Sequence, residues 1–219
     1  MRIIDLSHPI SRDMPVFPGD PAVRFTVVST IADTGYHVTE VCMSAHVGTH
    51  VDAPRHVVLD DRGVDKLPLD TLIGWAEVLD LGEMPPKSEI TAADLDPFVD
   101  RIDKGARLLL KTGWGKRWGR PDYFEDFPGI SEGAAMWLNA RNVKLVGVEP
   151  PSVSYKYHRE VHKALLASGT VIIENVANLD QISADRVFIA ALPLNLSGLD
   201  GSPVRMVAIE EPLISPPCE

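Results

Sequence analysis

The sequence predicts an α/β fold built on one mixed sheet. Three observations carry this. Short apolar runs rich in β-branched residues recur along the 219 residues, bounded by Gly and Pro. Longer segments with helix start and stop signals are set among them, and strand-like runs are denser in the first half. Finally, no internal repeat, low-complexity run or long linker interrupts the pattern, so the expectation is one domain spanning residues 1–219.

Residues 2–6, 23–28 and 38–45 read as strands, and residues 76–81 and 107–111 read the same way. Residues 84–88, with two prolines, read as a loop, and residues 92–102 as a short helix. Residues 131–141 read as a helix with Ser131 as its N-cap and Ala134, Met136, Trp137 and Leu138 inside it. A buried strand is expected at 143–148. A helix at 159–168 follows, stopped by Gly169, and then a strand at 170–174. Strands at 187–192 and 204–209 close the chain.

Composition narrows the function classes. Hydrophobic residues are 45% and charged residues 24%, which excludes disordered and fibrous chains. A net charge of -10 works against nucleic acid and anionic membrane as partners. The short basic and aromatic stretch of Lys111, Trp114, Lys116, Arg117, Trp118 and Arg120 reads as a loop near the site or an interface. Two cysteines make no disulfide framework: Cys42 is expected as a buried strand residue, and Cys218 is next to last. Residues 1–15 hold no signal-peptide stretch, and no run approaches 18 apolar residues. The expectation is a cytoplasmic protein with a small-molecule substrate.

The chemistry concentrates in the histidines. Three of the seven lie in the eleven residues from His46 to His56, together with Asp52. All four are even-numbered, so an extended chain points them to one face. On a straight strand His46 and His50 would stand roughly 13 Å apart at Cα, near the limit for sharing an ion. Gly48 permits a bend that brings them closer, and Pro54 argues against a helix. A kinked strand running into a loop is expected, with its polar face toward a cavity. Nitrogen and oxygen donors without thiolates suit Zn²⁺, Mn²⁺ or Fe²⁺ in a catalytic site with an open position. Downstream, His158 and His162 are four apart on the expected helix. Glu174 ends a strand after four residues, Thr170 to Ile173, and either binds metal or emerges into solvent. Residues 198–203 lack the order of a P-loop and read as a tight turn placing Ser202 and Arg205 near the site. A serine hydrolase is not expected.

The stretch from His46 to His56, His-x-Gly-Thr-His-x-Asp-x-Pro-x-His, resembles the signature of the cyclase family of metal-dependent hydrolases, which includes bacterial kynurenine formamidases. Other blocks agree: Asp5-Leu-Ser-His-Pro-Ile10, Met14-Pro-Val-Phe-Pro-Gly-Asp20, Lys111-Thr-Gly-Trp114, Pro128-Gly-Ile-Ser131, Val146-Gly-Val-Glu-Pro-Pro-Ser152 and Gly198-Leu-Asp-Gly-Ser-Pro-Val-Arg205. The resemblance implies a swivelling β/α domain and hydrolysis of an amide C–N bond, N-formylkynurenine being the leading substrate. Cyclic amides or lactones such as isatin are the alternative, and a metal-binding sensor or scaffold is the non-enzyme alternative. It also implies two divalent ions per subunit, zinc before manganese, held by His46, His50, Asp52, His162 and Glu174. His56 would be the proton donor and acceptor and Phe17 a substrate contact. Homodimers or homotetramers are implied as well. His158 has no counterpart and is expected on the helix surface. Phe17 stands where the formamidases usually carry Trp, and Glu149 where they carry Asp.

Overall fold

A computed structural model of the chain describes residues 1–59 and 62–210; Cys218 lies outside the described residues. In chain order the strands are β1 (Arg2–Asp5), β2 (Arg24–Ser29), β3 (Val38–Cys42), β4 (His50–Asp52), β5 (Ile73–Asp80), β6 (Glu89–Ile90), β7 (Arg107–Lys111), β8 (Gly129–Ile130), β9 (Leu145–Val148), β10 (Val171–Glu174), β11 (Arg186–Ala190), β12 (Gly201–Pro203) and β13 (Val207–Glu210). The helices are α1 (Ile31–Thr34), α2 (Leu69–Leu72), α3 (Ala92–Leu95), α4 (Glu132–Ala140) and α5 (His158–Ser168).

Nine strands form one mixed sheet in the order β1-β13-β11-β5-β7-β9-β10-β4-β12. The four central strands β5, β7, β9 and β10 run parallel, and each flank is antiparallel. Alternation along the strands divides two cores. Leu108, Leu110, Val146, Val148 and Ile172 face Leu95, Leu138, Val161 and Leu165 on the helices. Leu109, Leu145, Val171 and Ile173 face the other way. That second core joins Ile4 and Ala208 from one end of the sheet to Val51 from the other, so the sheet curls upon itself. Ala177 N donates to Leu6 O across the same closure.

Most expected elements are present, with bounds shifted by a few residues. Ser131 caps α4, its hydroxyl accepting from Ala134 N at 3.1 Å. Gly169 ends α5 in the left-handed region. Four expectations change, the first being that residues 201–203, expected within a tight turn, form β12 against β4. The helix at 92–102 is α3 followed by a 3₁₀ stretch, Asp96–Arg101, at whose start Pro97 removes a backbone donor. The last strand begins only at Val207, since Val204 makes an isolated bridge to Pro193. Cys42 is exposed rather than buried. The reason is that β2 and β3 pair only with each other, as a ribbon outside the main sheet, and all of β3 is exposed.

Candidate active site

Strand register builds the centre of the site. In the antiparallel pair β4–β10, His50 lies opposite Glu174 and Asp52 opposite Ile172. Opposed residues share a face, and Ile172 faces the helices. His50, Asp52 and Glu174 therefore project toward α5, whose buried face carries His162. His46 is not on the strand; it sits in a turn before β4, and Gly48 bends the chain at a φ of 59°. His56 arrives on a 3₁₀ turn, Pro54–His56, in which Pro54 occupies an N-terminal position that needs no donor. The expected kinked strand and loop is thus a turn, a three-residue strand and a 3₁₀ turn.

The donor atoms converge. Those of His50, Asp52 and Glu174 lie within 4.8 Å of one another, as do those of His46, Asp52 and His56. His46 Nδ1 is 2.8 Å from Asp52 Oδ1. His162 Nε2 is 3.0 Å from Glu174 Oε1 and 3.6 Å from Asp52 Oδ2. Glu174 Oε1 also accepts from Val153 N at 2.9 Å. So Glu174 is buried at the strand end and does not emerge into solvent. His50 Nε2 and Asp52 Oδ2 are buried with no hydrogen-bond partner. A buried polar atom left unpaired costs about 1–3 kcal/mol. Two such atoms aimed into one cluster of imidazoles and carboxylates are what a cation between them would satisfy, so the residues fit a divalent metal.

Electrostatics agree. Burial alone would lower the pKa of His50 and His162, but the carboxylates of Asp52 and Glu174 outweigh it and raise each to about 10. Burial would raise Glu174, and so would the charge of Asp52; His162 and His50 instead bring it down to about 2. Asp52 is likewise held well below the usual carboxylate range by the three imidazoles against the pull of burial. The site is built to hold positive charge between two ionised carboxylates. His56 differs, since burial lowers its pKa and keeps the ring neutral. Its ring centroid lies 4.1 Å from that of His46 and 5.6 Å from that of His162.

The cluster opens into a cavity of about 190 Å³ lined by Phe17, Trp118, Phe124 and Pro151 above the imidazoles. An apolar space of roughly 150 Å³ holds one benzene ring. Phe17 meets Phe124 edge-on at 5.9 Å. Trp118 is stacked on His8 at 3.7 Å, nearly parallel. His158 is exposed at the helix surface, as expected, and there it opens α5 at the rim of the cavity, 4.5 Å from the His162 ring and 5.9 Å from Phe17. The rest of the basic stretch is paired locally, Lys111 with Asp80, Lys116 with Glu83, and Arg117 and Arg120 with Asp122.

Phe124 on the cavity wall and two polar side chains behind the imidazoles escaped sequence reasoning. Asn175 donates to Gly48 O at 3.0 Å and accepts from the buried Tyr123 hydroxyl at 2.8 Å. Gly48 O in turn accepts from His50 Nδ1 at 2.8 Å, which leaves Nε2 facing inward. Asp200 Oδ2 lies 2.8 Å from His46 Nε2 and 3.8 Å from His56 Nδ1. It occupies the turn from which Ser202 and Arg205 were expected to reach the site. Ser202 instead bonds Leu194 N and Pro203 O, and the exposed Arg205 pairs with Asp5. Its place as the Asp of the family-like Asp-Gly-Ser-Pro block was the only local signal for Asp200. Gly129-Ile-Ser131-Glu-Gly133 has the spacing of a serine nucleophile elbow, which works against the expectation of no serine hydrolase. The Ser131 hydroxyl is spent on capping α4, and its strand β8 lies outside the nine-stranded sheet.

A curled mixed sheet with a buried imidazole–carboxylate cluster at its helix-covered edge defines the class: an α/β protein with a metal-type site under an aromatic cavity. Residues 4–155 match the Cyclase family, described as "Putative cyclase", and the chain belongs to that family. It is 33% identical over 208 residues to a kynurenine formamidase of Bacillus thuringiensis strain Al Hakam, covering 93% of this chain and 95% of the relative. Isatin hydrolase A from Labrenzia aggregata, solved with benzyl benzoate, superposes with a TM-score of 0.85 at 28% identity, covering 94% and 93% of the two chains. A structure described as a potential metal-dependent hydrolase with cyclase activity superposes with a TM-score of 0.83 at 28% identity, covering 96% and 99%.

Proposed function

We propose that the chain is a metal-dependent hydrolase of an amide C–N bond, acting on N-formylkynurenine to give kynurenine and formate. The observation that carries this is the pair of unpartnered buried atoms, His50 Nε2 and Asp52 Oδ2, inside a cluster that opens beneath an aromatic cavity. The similarity to kynurenine formamidases supports the substrate.

His46, His50, Asp52, His162 and Glu174 would hold two divalent ions, zinc before manganese. When bound, such ions supply Lewis acidity toward a carbonyl and make water a nucleophile at neutral pH. The protein's own residues do the rest. Phe17, Trp118 and Phe124 pack the substrate's ring and exclude water from it. His56 stays neutral and reaches into the same space, so its ring can take a proton from the attacking water and pass it to the departing amine nitrogen. Water adds to the formyl carbon, the C–N bond breaks, and the amine leaves carrying that proton. Residues 1–219 work as one domain in this reading, in the cytoplasm, as a homodimer or homotetramer. The exposed ribbon, with Val27, Val28, Val38 and Val41, supports assembly.

A second reading, hydrolysis of a cyclic amide such as isatin, is favoured by the likeness to isatin hydrolase A and by a cavity sized for one fused ring. Absorbance-monitored hydrolysis of N-formylkynurenine tests the first, before and after chelation and after adding back Zn²⁺ or Mn²⁺. Turnover that chelation abolishes and metal restores is expected. A metal-loaded sample without turnover would reject the formamidase reading, and turnover of isatin by that sample would establish the second.

A further inference from the structure

We propose that Asp200 is a positioning residue of this site: its carboxylate holds the outer nitrogen of His46, and the ring orientation it enforces sets how tightly a divalent ion binds. The proposal rests on the reading of the cluster as a metal site.

Three imidazoles point one nitrogen into the cluster, and each needs something to hold the other. His50 gives Nδ1 to Gly48 O at 2.8 Å, and His162 gives Nδ1 to His158 O at 2.6 Å. In both cases a backbone carbonyl fixes Nε2 inward. His46 is reversed. Its inner atom is Nδ1, 2.8 Å from Asp52 Oδ1, and its outer Nε2 meets the Asp200 carboxylate at 2.8 Å. A hydrogen-bond acceptor on the outer nitrogen fixes the tautomer and the ring orientation, and so turns the inner nitrogen's lone pair toward a metal. His46 also has the greatest need of it, since it sits in a turn and is the most exposed of the three, with 16% of its side chain accessible.

The turn carrying Asp200 is anchored for this task. Ala53 N donates to Asp200 O at 2.9 Å, Val64 N to Leu199 O at 2.7 Å, and Gly198 N to Asp65 Oδ1 at 2.9 Å. The next residue, Gly201, lies opposite Asp52 in the β12–β4 pair and so faces the cluster. A Cβ on Gly201 would stand 2.8 Å from His46 Cε1, so the missing side chain is the space the imidazole occupies. The side chain of Asp200 itself is 46% accessible, so its removal leaves no cavity in either core.

The test is Zn²⁺ affinity, measured on chelator-stripped protein by competition with a chromophoric chelator, for wild type, Asp200→Ala and Asp200→Asn. Asp200→Ala is expected to bind Zn²⁺ about 10–100-fold more weakly, with an unchanged melting temperature before metal is added. Asp200→Asn keeps an oxygen that accepts from His46 Nε2 and is expected to recover most of that loss. Wild-type affinity in Asp200→Ala would overturn the proposal even if turnover fell, because Asp200 would then act on His56 alone. Equal weakening in both variants would also overturn it, pointing to charge rather than orientation. A wild-type protein that binds no Zn²⁺ or Mn²⁺ would remove the metal-site reading itself, a result distinguishable from either.

Discussion

At the scale of single residues, the site separates holding from proton transfer. Asp52 lies under three imidazoles, whereas His56 touches the cluster from the cavity side. His56→Ala should therefore lower kcat by about 10²–10⁴-fold while metal content, read by atomic emission, stays at the wild-type level. Asp52→Asn should lose the metal. Normal turnover in both variants would remove these roles. His8 offers a pH test outside the cluster. Burial against Trp118 lowers its pKa to about 4 from the ordinary 6.5, with Asp5 opposing the shift. The unfolded chain takes up a proton near 6.5 and the folded one does not until about 4. Stability that depends on neutral His8 is whole above pH 6.5 and is lost as the pH falls from there toward 4. His8→Phe keeps an aromatic face for Trp118. It should shrink the loss of unfolding free energy between neutral and acid pH by up to about 3 kcal/mol in urea titrations. An unchanged acid limb would mean that His8 is not the group responsible.

At the scale of elements, register matters more than composition. A one-residue slip between β4 and β10 would turn His50 and Asp52 to the far face, against Leu109 and Ile173. The pairing is secured by Val51 and Ile173, which are opposed on the apolar face and fully buried. Helix α5 brings His162 to that edge and is itself braced by α4, with Asn139 Nδ2 donating to Ala164 O at 2.9 Å. Ser131 starts α4, and its hydroxyl is spent on the cap rather than on the cluster. Ser131→Ala should cost about 1 kcal/mol in chemical denaturation with Zn²⁺ affinity unchanged. A loss of affinity in that variant would show that the α4–α5 pair carries strain into the site.

At the scale of the whole molecule, the cluster joins one edge of the sheet to the helix layer and to the turn before β12. An ion bound there stabilises only the folded chain. Zn²⁺ at 100 times its Kd should add about 2.7 kcal/mol. For a chain of this size that is a rise of several degrees in melting temperature, reversed by chelation and read by differential scanning calorimetry. A melting temperature indifferent to metal and chelator would count against the site. Among the described residues no helix is long and apolar enough to cross a membrane.

Local pattern sufficed for the longer strands, for α4 and α5, and for the grouping of His46, His50, Asp52 and His56, because backbone alternation, capping and the spacing of eleven residues are properties of neighbouring positions. Glu174 stood open between ligand and solvent until pairing with β4 placed it opposite His50. Asp200, 154 positions from His46, became visible only through the curl that lays β12 beside β4. Asn175 and the rim position of His158 emerged in the same way. Cys42 was misjudged because nothing in a strand's own residues tells which sheet it joins. The sequence by itself determined the longer elements, the family and most donor types. Only the tertiary structure decided which donors meet and which second residues hold them, because those contacts form between segments distant along the chain, where no periodicity records them.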